Sequence, residues 1–127
     1  MVLVGIYFYQ ENRMANLASQ LKCATSAKEF FDNHSVPDNK VVPDYSYNDH
    51  YSQRENGCFI LIKDINYEYK IDNETLYNVY ENTIKGMAIS ADGIGNNTAE
   101  CNVNGRECKS MTEFHDLLRK IDLINTY

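Results

Sequence analysis

Along the chain, hydrophobic and polar positions form short patterned runs separated by turn-rich stretches. Val2 to Tyr9 is β-branched and aromatic, with Gly5 at a bulge position, which predicts a strand. From Asn12 to Leu21 the spacing becomes helical, with Met14, Leu17, Ala18 and Leu21 on one face. Ser26 followed by Glu29 is a capping box, so a second short helix is expected there, carrying Phe30 and Phe31 inward. Residues 34–56 hold both prolines and a dense polar scatter, which predicts a long irregular connection with one short edge strand at Val41-Val42.

CFILI, residues 58–62, is apolar throughout, as in a strand covered on both faces. It is expected to pair, across Asp64-Ile65-Asn66, with Tyr67 to Ile71, where Tyr67, Tyr69 and Ile71 alternate with Glu68 and Lys70. Asp72 or Asn73 then caps a predicted helix through Lys85, with Leu76, Val79, Tyr80, Thr83 and Ile84 inside and Gly86 as its stop. Met87 to Ile89 predicts a short strand, and SADGIGNN, residues 90–97, a loop. In ECNVNGRECK, residues 100–109, two short runs flank Asn104-Gly105, a pair that two-residue hairpins favour because both positions need positive φ.

Ser110 with Glu113 is a second capping box, opening a last helix whose apolar face is Met111, Phe114, Leu117, Leu118, Ile121 and Ile124. The elements add up to a single α+β domain over residues 1–127, an antiparallel or mixed sheet packed against helices. The wide stripe of the last helix has two uses: closing its own sheet, or docking on a second copy in a homodimer or higher homo-oligomer.

Charge narrows the partners. The 127 residues carry a formal net charge of −6, which disfavours a nucleic-acid polymer and suits either a basic protein or a compact anion held by a few local donors. MVLVGIYFY is too short to span a membrane and has neither the basic start nor the cleavage region of a signal peptide, so no membrane association and a cytoplasmic location are expected. None of Cys23, Cys58, Cys101 and Cys108 forms a C-x-x-C pair, which argues against zinc and thioredoxin-type sites. Cys101 and Cys108 fall opposite each other in the hairpin, where side chains diverge, and are expected as two small buried thiols.

Chemistry is sparse. His34, His50 and His115 are far apart in sequence, and Asp49-His50 alone is short of the three or four ligands a metal needs. Glu113 and Asp116 share a helical face as solvated carboxylates do. No catalytic residue, no metal ligand and no cofactor is assigned. The remaining constellation is the loop with the hairpin beyond it. Asp92, Gly93, Asn96, Asn97 and Arg106 combine glycine N–H groups, two amides and a guanidinium, a cradle for a pyrophosphate or sugar phosphate. The same residues also satisfy ordinary turn geometry. Ten tyrosines and no tryptophan suit half-buried strands and binding surfaces, and Tyr45, Tyr47 and Tyr51 form either an aromatic lid or part of a solvated excursion.

Two resemblances follow. NVNGRECKSMTEFHDLLRK is similar to the opening strand, cap and helix of the barstar family of intracellular ribonuclease inhibitors, through Asn104, Gly105, Ser110, Phe114, His115, Leu118, Arg119 and Lys120. That likeness is one of local grammar and carries over no inhibitory residue. In size, in element order and in SADGIGNNTAECNVNGREC, the chain resembles the phage and prophage Thoeris anti-defence proteins. The resemblance implies a non-catalytic, homo-oligomeric sponge that sequesters a cyclic ADP-ribose isomer in the host cytoplasm. The alternative expectation is an acidic immunity or inhibitor protein that binds a basic toxin or nuclease.

Overall fold

The structure, a computed structural model, describes residues 2–34, 44–66, 70–90 and 98–124. Its elements are α1 (Val2–Asn33), β1 (Asp44–Ser52), β2 (Gly57–Asn66), β3 (Ile71–Asn78), β4 (Thr83–Ser90), β5 (Thr98–Val103), β6 (Arg106–Glu107) and α2 (Met111–Lys120). The six strands make one sheet in which each pairs antiparallel with its neighbour in sequence. Helix α1 lies across β1 and β2, and α2 lies on β4 and β5. The architecture is the α+β arrangement of sheet and helices that the sequence indicates.

Alternation along the strands sorts side chains into two cores. Phe59, Leu61, Leu76, Ala88, Cys101 and Val103 meet Met111, Phe114, Leu118 and Leu123 on the α2 side. Cys58, Ile60 and Ile62 meet Cys23, Ala27 and Phe30 on the α1 side, with Tyr45, Tyr47 and Tyr77 around them. Strand β2 is buried from Gly57 to Ile62, as its unbroken apolar run requires. The apolar stripe of α2 closes this chain's own sheet, since Met111, Phe114 and Leu118 are buried there and Leu117, Ile121 and Ile124 pack against them.

Several elements differ from their sequence-based expectation. Val2 to Tyr9 is helical, and α1 runs unbroken through Ser26, so the expected strand and two helices are one helix. A short β-branched run has the same composition in either state, and neighbours decide between them. Residues expected to be irregular hold β1, nine residues long; Val41-Val42 lies outside the described residues. Strand β2 continues through Asp64-Ile65-Asn66. The segment expected as a helix, 72–85, is the β3–β4 hairpin.

That hairpin is set by its turn. The Asn78 side chain accepts from the Glu81 N–H at 3.1 Å, and Asn82 takes a left-handed φ of 53°. Gly86 is therefore a strand residue and no helix stop. A Cβ there would sit 3.2 Å from both the Asn102 carbonyl and the Phe114 ring, so glycine is what lets α2 approach β4.

The last hairpin and helix follow their sequence. Val103 pairs with Arg106 and Asn102 with Glu107, with Asn104 and Gly105 at φ of 53° and 84°. Ser110 Oγ accepts from the Glu113 N–H, and the Glu113 carboxylate accepts from the Lys109 N–H, both at 3.1 Å. The cysteines depart from expectation: Cys101 is disulfide-bonded to Cys108, and Cys23 to Cys58. The first bridge closes the β5–β6 hairpin, and the second fastens α1 to β2.

Candidate functional site

The strand order puts the chain connections at two ends of the sheet. Short turns at 53–56, 79–82 and 104–105 occupy one end. At the other end lie His34 at the close of α1, Asp44 opposite Ile65, Asn66 opposite Ile71, and Ser90 opposite both Asp72 and Thr98. The segments 35–43, 67–69 and 91–97 are all anchored there. Two of them, 35–43 and 91–97, are longer than any turn at the other end, and long connections on a rigid sheet are the usual carriers of binding residues. Polar groups gather beneath these anchors on both faces.

On the α2 face, Asp72 and Glu74 stand two residues apart on β3, with Lys63 of β2 opposite Glu74 and buried Ser90 of β4 opposite Asp72. His115 of α2 reaches Glu74, its Nε2 2.8 Å from Oε1. Burial alone would raise the Glu74 pKa, but the His115 hydrogen bond and charge, together with Lys63, hold it below the ordinary value. Asp72 goes the other way. Burial, the Glu74 charge and a hydrogen bond from its own carboxyl to Glu74 push it up to about 6. The two carboxyls thus share a proton in mildly acidic solution, and Asp72 Oδ1 is buried without a hydrogen-bond partner.

On the α1 face, at the same end, a cleft of about 180 Å³ opens between the helix terminus and the sheet. His34, Tyr45, Asp64, Asn73, Thr75 and Tyr77 line it over an Ile62 floor. The Tyr45 hydroxyl donates to the His34 carbonyl at 2.6 Å, and burial, Tyr77 and Asp64 raise its pKa. The His34 ring stacks on Phe30 at 4.0 Å, and its Nδ1 lies 2.8 Å from the Phe30 carbonyl. That carbonyl can only accept, so Nδ1 carries the hydrogen and the neutral ring keeps Nε2 as an acceptor. Asn73 Oδ1 is buried here without a partner. The cleft therefore offers aromatic faces and acceptors that want donors.

A second histidine node has a different role. Asp122 accepts from Ser52 Oγ at 2.9 Å, its other oxygen lies 2.9 Å from His50 Nε2, and the Glu55 N–H donates to Ser52 Oγ. The residue types are those of a serine hydrolase, but the carboxylate sits between serine and histidine, so the imidazole is not placed to take the serine proton. Burial, the largest single effect, would raise the Asp122 pKa, but the hydrogen bonds from Ser52, His50 and the Arg54 backbone, with the His50 charge, together hold it below its ordinary value. This node latches the chain after α2 onto β1.

Of the five residues assigned from sequence, Asp92, Gly93, Asn96 and Asn97 lie outside the described residues, while their anchors Ser90 and Thr98 belong to this site's end of the sheet. Arg106 does not. It is exposed beside the opposite turn, and β5 separates Val103 from Thr98 by about 17 Å of extended chain. Near that turn Lys85, Glu100, Asn102 and Asn104 border a shallow groove of about 390 Å³ on the open face of β4 and β5. Of the three tyrosines of the suggested lid, Tyr45 lines the cleft, and Tyr47 packs on Phe31 with ring centres 4.5 Å apart. Among the described residues no three His, Cys, Asp or Glu side chains are grouped to hold a metal, and no described helix is long and apolar enough to cross a membrane.

Sequence reasoning passed over Asp72, Asn73, Glu74 and Tyr77 because it placed them on a helix. The signal available was Glu74-Leu76-Asn78 alternating with Thr75-Tyr77-Val79, a period of two. No family model, no curated protein and no solved structure matches the chain.

Proposed function

We propose that the chain is a non-catalytic binding module that holds a small nucleotide-like ligand at the long-connection end of its sheet. The observation that carries this reading is the buried, unpartnered acceptor Asn73 Oδ1 in the α1-face cleft; a second, Asp72 Oδ1, lies on the opposite face of β3 at the same end. Orphaned acceptors are costly and are relieved by a ligand that brings donors, such as ribose hydroxyls or an adenine amino group. The cleft of about 180 Å³ is below the usual size of a whole-ligand pocket. It fits a base or a sugar against Tyr45, Tyr77 and His34; the phosphates stay assigned, from the sequence alone, to Asp92, Gly93, Asn96 and Asn97, which lie outside the described residues. Arg106 is left out of this site.

With the resemblance to anti-defence sponges, the ligand class is a cyclic adenine nucleotide, a cyclic ADP-ribose isomer in particular. A trap of this kind works in the cytoplasm. The two disulfides weigh the other way, because such bridges persist in oxidising compartments. A thermal-shift panel of cyclic nucleotides and ADP-ribose isomers tests the reading. The expected result is a rise in melting temperature for one nucleotide class, with the nucleotide recovered intact after heat release. Turnover of excess nucleotide, or no shift with any nucleotide alongside a salt-sensitive complex with a basic protein, overturns it.

A further inference from the structure

Strand register draws the floor of the α1-face cleft. Tyr45 of β1 is the partner of Asp64 in β2, and Asp64 is the partner of Asn73 in β3. Directly paired residues point to one face of a sheet. An aromatic ring, a carboxylate and the buried, unpartnered Asn73 Oδ1 therefore form one row across three strands. Ile62 and Thr75 make the next row. Tyr77 and His34 close the cleft beyond, their ring centres 5.6 Å apart and inclined at 48°. The walls are themselves held in place: Tyr45 lies on Phe31 with ring centres 4.8 Å apart, and His34 on Phe30.

The polar groups of the cleft mostly accept. The Tyr45 hydroxyl gives its hydrogen to the His34 carbonyl, His34 Nδ1 gives its own to the Phe30 carbonyl, and Asp64 brings a carboxylate. The Thr75 and Tyr77 hydroxyls serve in either sense. No Lys or Arg is among the residues lining the cleft, so a phosphate placed there would find no cation. Burial, Tyr77 and Asp64 all raise the Tyr45 pKa, as in a pocket that resists further negative charge. The chain's net charge of −6 works in the same direction. Aromatic faces beside a carboxylate attract a cation through the ring quadrupole. We propose that the cleft seats an alkylated ammonium group that keeps one N–H. Its alkyl groups lie against Tyr45, Tyr77 and His34, its N–H donates to Asn73 Oδ1, and Asp64 balances its charge.

Size agrees with this assignment. About 180 Å³ is small for an entire ligand and ample for such a head group. A bare metal ion makes no use of ring faces, and among the described residues no three His, Cys, Asp or Glu side chains are grouped to hold one. The inference rests on this cleft being the ligand site, and it adds the charge of what enters. A nucleotide meets the same demand through a protonated or alkylated amino group on its base.

Nuclear magnetic resonance titration of the full chain with three matched probes tests it. The probes are protonated dimethylethanolamine, which has one N–H; choline, which has none; and the neutral alcohol in which a tert-butyl group replaces choline's trimethylammonium. The expected order of affinity follows that sequence, starting from a Kd of ~0.1 mM and weakening ~10-fold at each step. Asn73→Ala should abolish the preference for dimethylethanolamine over choline and keep choline's advantage over the neutral alcohol. Tyr77→Leu should reduce that second advantage; because Tyr77 packs on Phe30, Asp64→Asn stands in for it if the leucine variant fails to fold. Equal binding of any two of the three probes by the parent, or no binding of any at ~50 mM, overturns the proposal. If the nucleotide panel still gives a shift in that case, the nucleotide reading survives without the cation. Ammonium binding with no nucleotide shift supports the cleft assignment and retires the nucleotide.

Discussion

His115 Nε2 lies 2.8 Å from Glu74 Oε1, and Glu74 is a carboxylate only 2% exposed. The contact ties α2 to the middle of β3. Removing one partner of a buried pair leaves the other charged and unpaired, which is more damaging than never having had the pair. His115→Ala should therefore lower stability by about 3 kcal/mol at neutral pH in urea denaturation. Because the Glu74 pKa is held below its ordinary value, that difference is present above the unfolded-chain value and fades as pH falls through the folded one. Arg119→Ala, which breaks a surface pair with Asp116, should change stability by less than about 0.5 kcal/mol. Comparable losses in the two variants would show that the buried pair contributes nothing.

Asp72 has the opposite sign. Its folded-state value of about 6 lies above the ordinary carboxyl value of 3.8, so ionising it on the folded protein is unfavourable and stability declines as pH rises between the two. Asp72→Asn removes that penalty. Discounted for the solvent exposure of the side chain, the expected gain at pH 7.5 is about 1 kcal/mol, vanishing near pH 4. Denaturation midpoints at the two pH values decide it, and a variant less stable than the parent at the higher pH would contradict the assignment.

Gly86 bears on how α2 is seated. Alanine there meets the Asn102 carbonyl and the Phe114 ring at 3.2 Å, so the fully buried Phe114 or the β5 backbone must shift by a few tenths of an ångström to admit it. Gly86→Ala should destabilise by about 1–2 kcal/mol. Gly105→Ala should cost about 1 kcal/mol for a different reason, since φ is 84° and nothing lies within 4 Å of the added carbon. The two are separable by circular dichroism, because only the first should loosen α2.

What the sequence disclosed was local. Asn104-Gly105 dictates its turn by φ alone, and Ser110 with Glu113 caps α2 through groups three residues apart, so neither depends on distant neighbours. Leu76, Val79, Tyr80, Thr83 and Ile84 misled because their spacing fits a helical face, while the deciding features are the Asn78 side chain closing on Glu81 and the left-handed Asn82. Val2 to Tyr9 misled because β-branched and aromatic residues suit a strand wherever a sheet is there to receive them. The polar groups under the long connections became visible only once β3 was a strand, which sets Asp72 and Glu74 on one face and Asn73 on the other. Arg106 and the 90–97 loop were joined by closeness in sequence, which β5 stretches into distance.

Asn73 separates binding from stability. Its Oδ1 is a buried acceptor with no partner, so Asn73→Ala should leave the unliganded protein as stable or up to about 1 kcal/mol more stable. The same change should weaken nucleotide binding about tenfold, measured by calorimetry, if the ligand supplies the missing donor. Arg106→Ala should leave binding unchanged. A loss of affinity in the arginine variant with none in the asparagine variant would move the site to the groove beside the β5–β6 turn.

The disulfides set the last expectation. In the chain-entropy view, a bridge restrains the unfolded chain more as the loop it closes lengthens. Cys23–Cys58 spans 35 residues and Cys101–Cys108 spans seven, so replacing the first pair by serine should cost about 4 kcal/mol and the second about 2. The first loss should also free α1 from β2, exposing Ile60 and Ile62, whereas the second leaves α2 clamped on the sheet by Phe114, Leu118 and the Glu74–His115 pair. Reduction of the parent protein should therefore raise proteolysis near residues 22–34 before it affects α2. Intact mass of the natural product reads the premise directly: four hydrogens missing means both bridges formed where the protein resides, and a full complement means the thiols stayed reduced and that both stability differences vanish under reducing conditions.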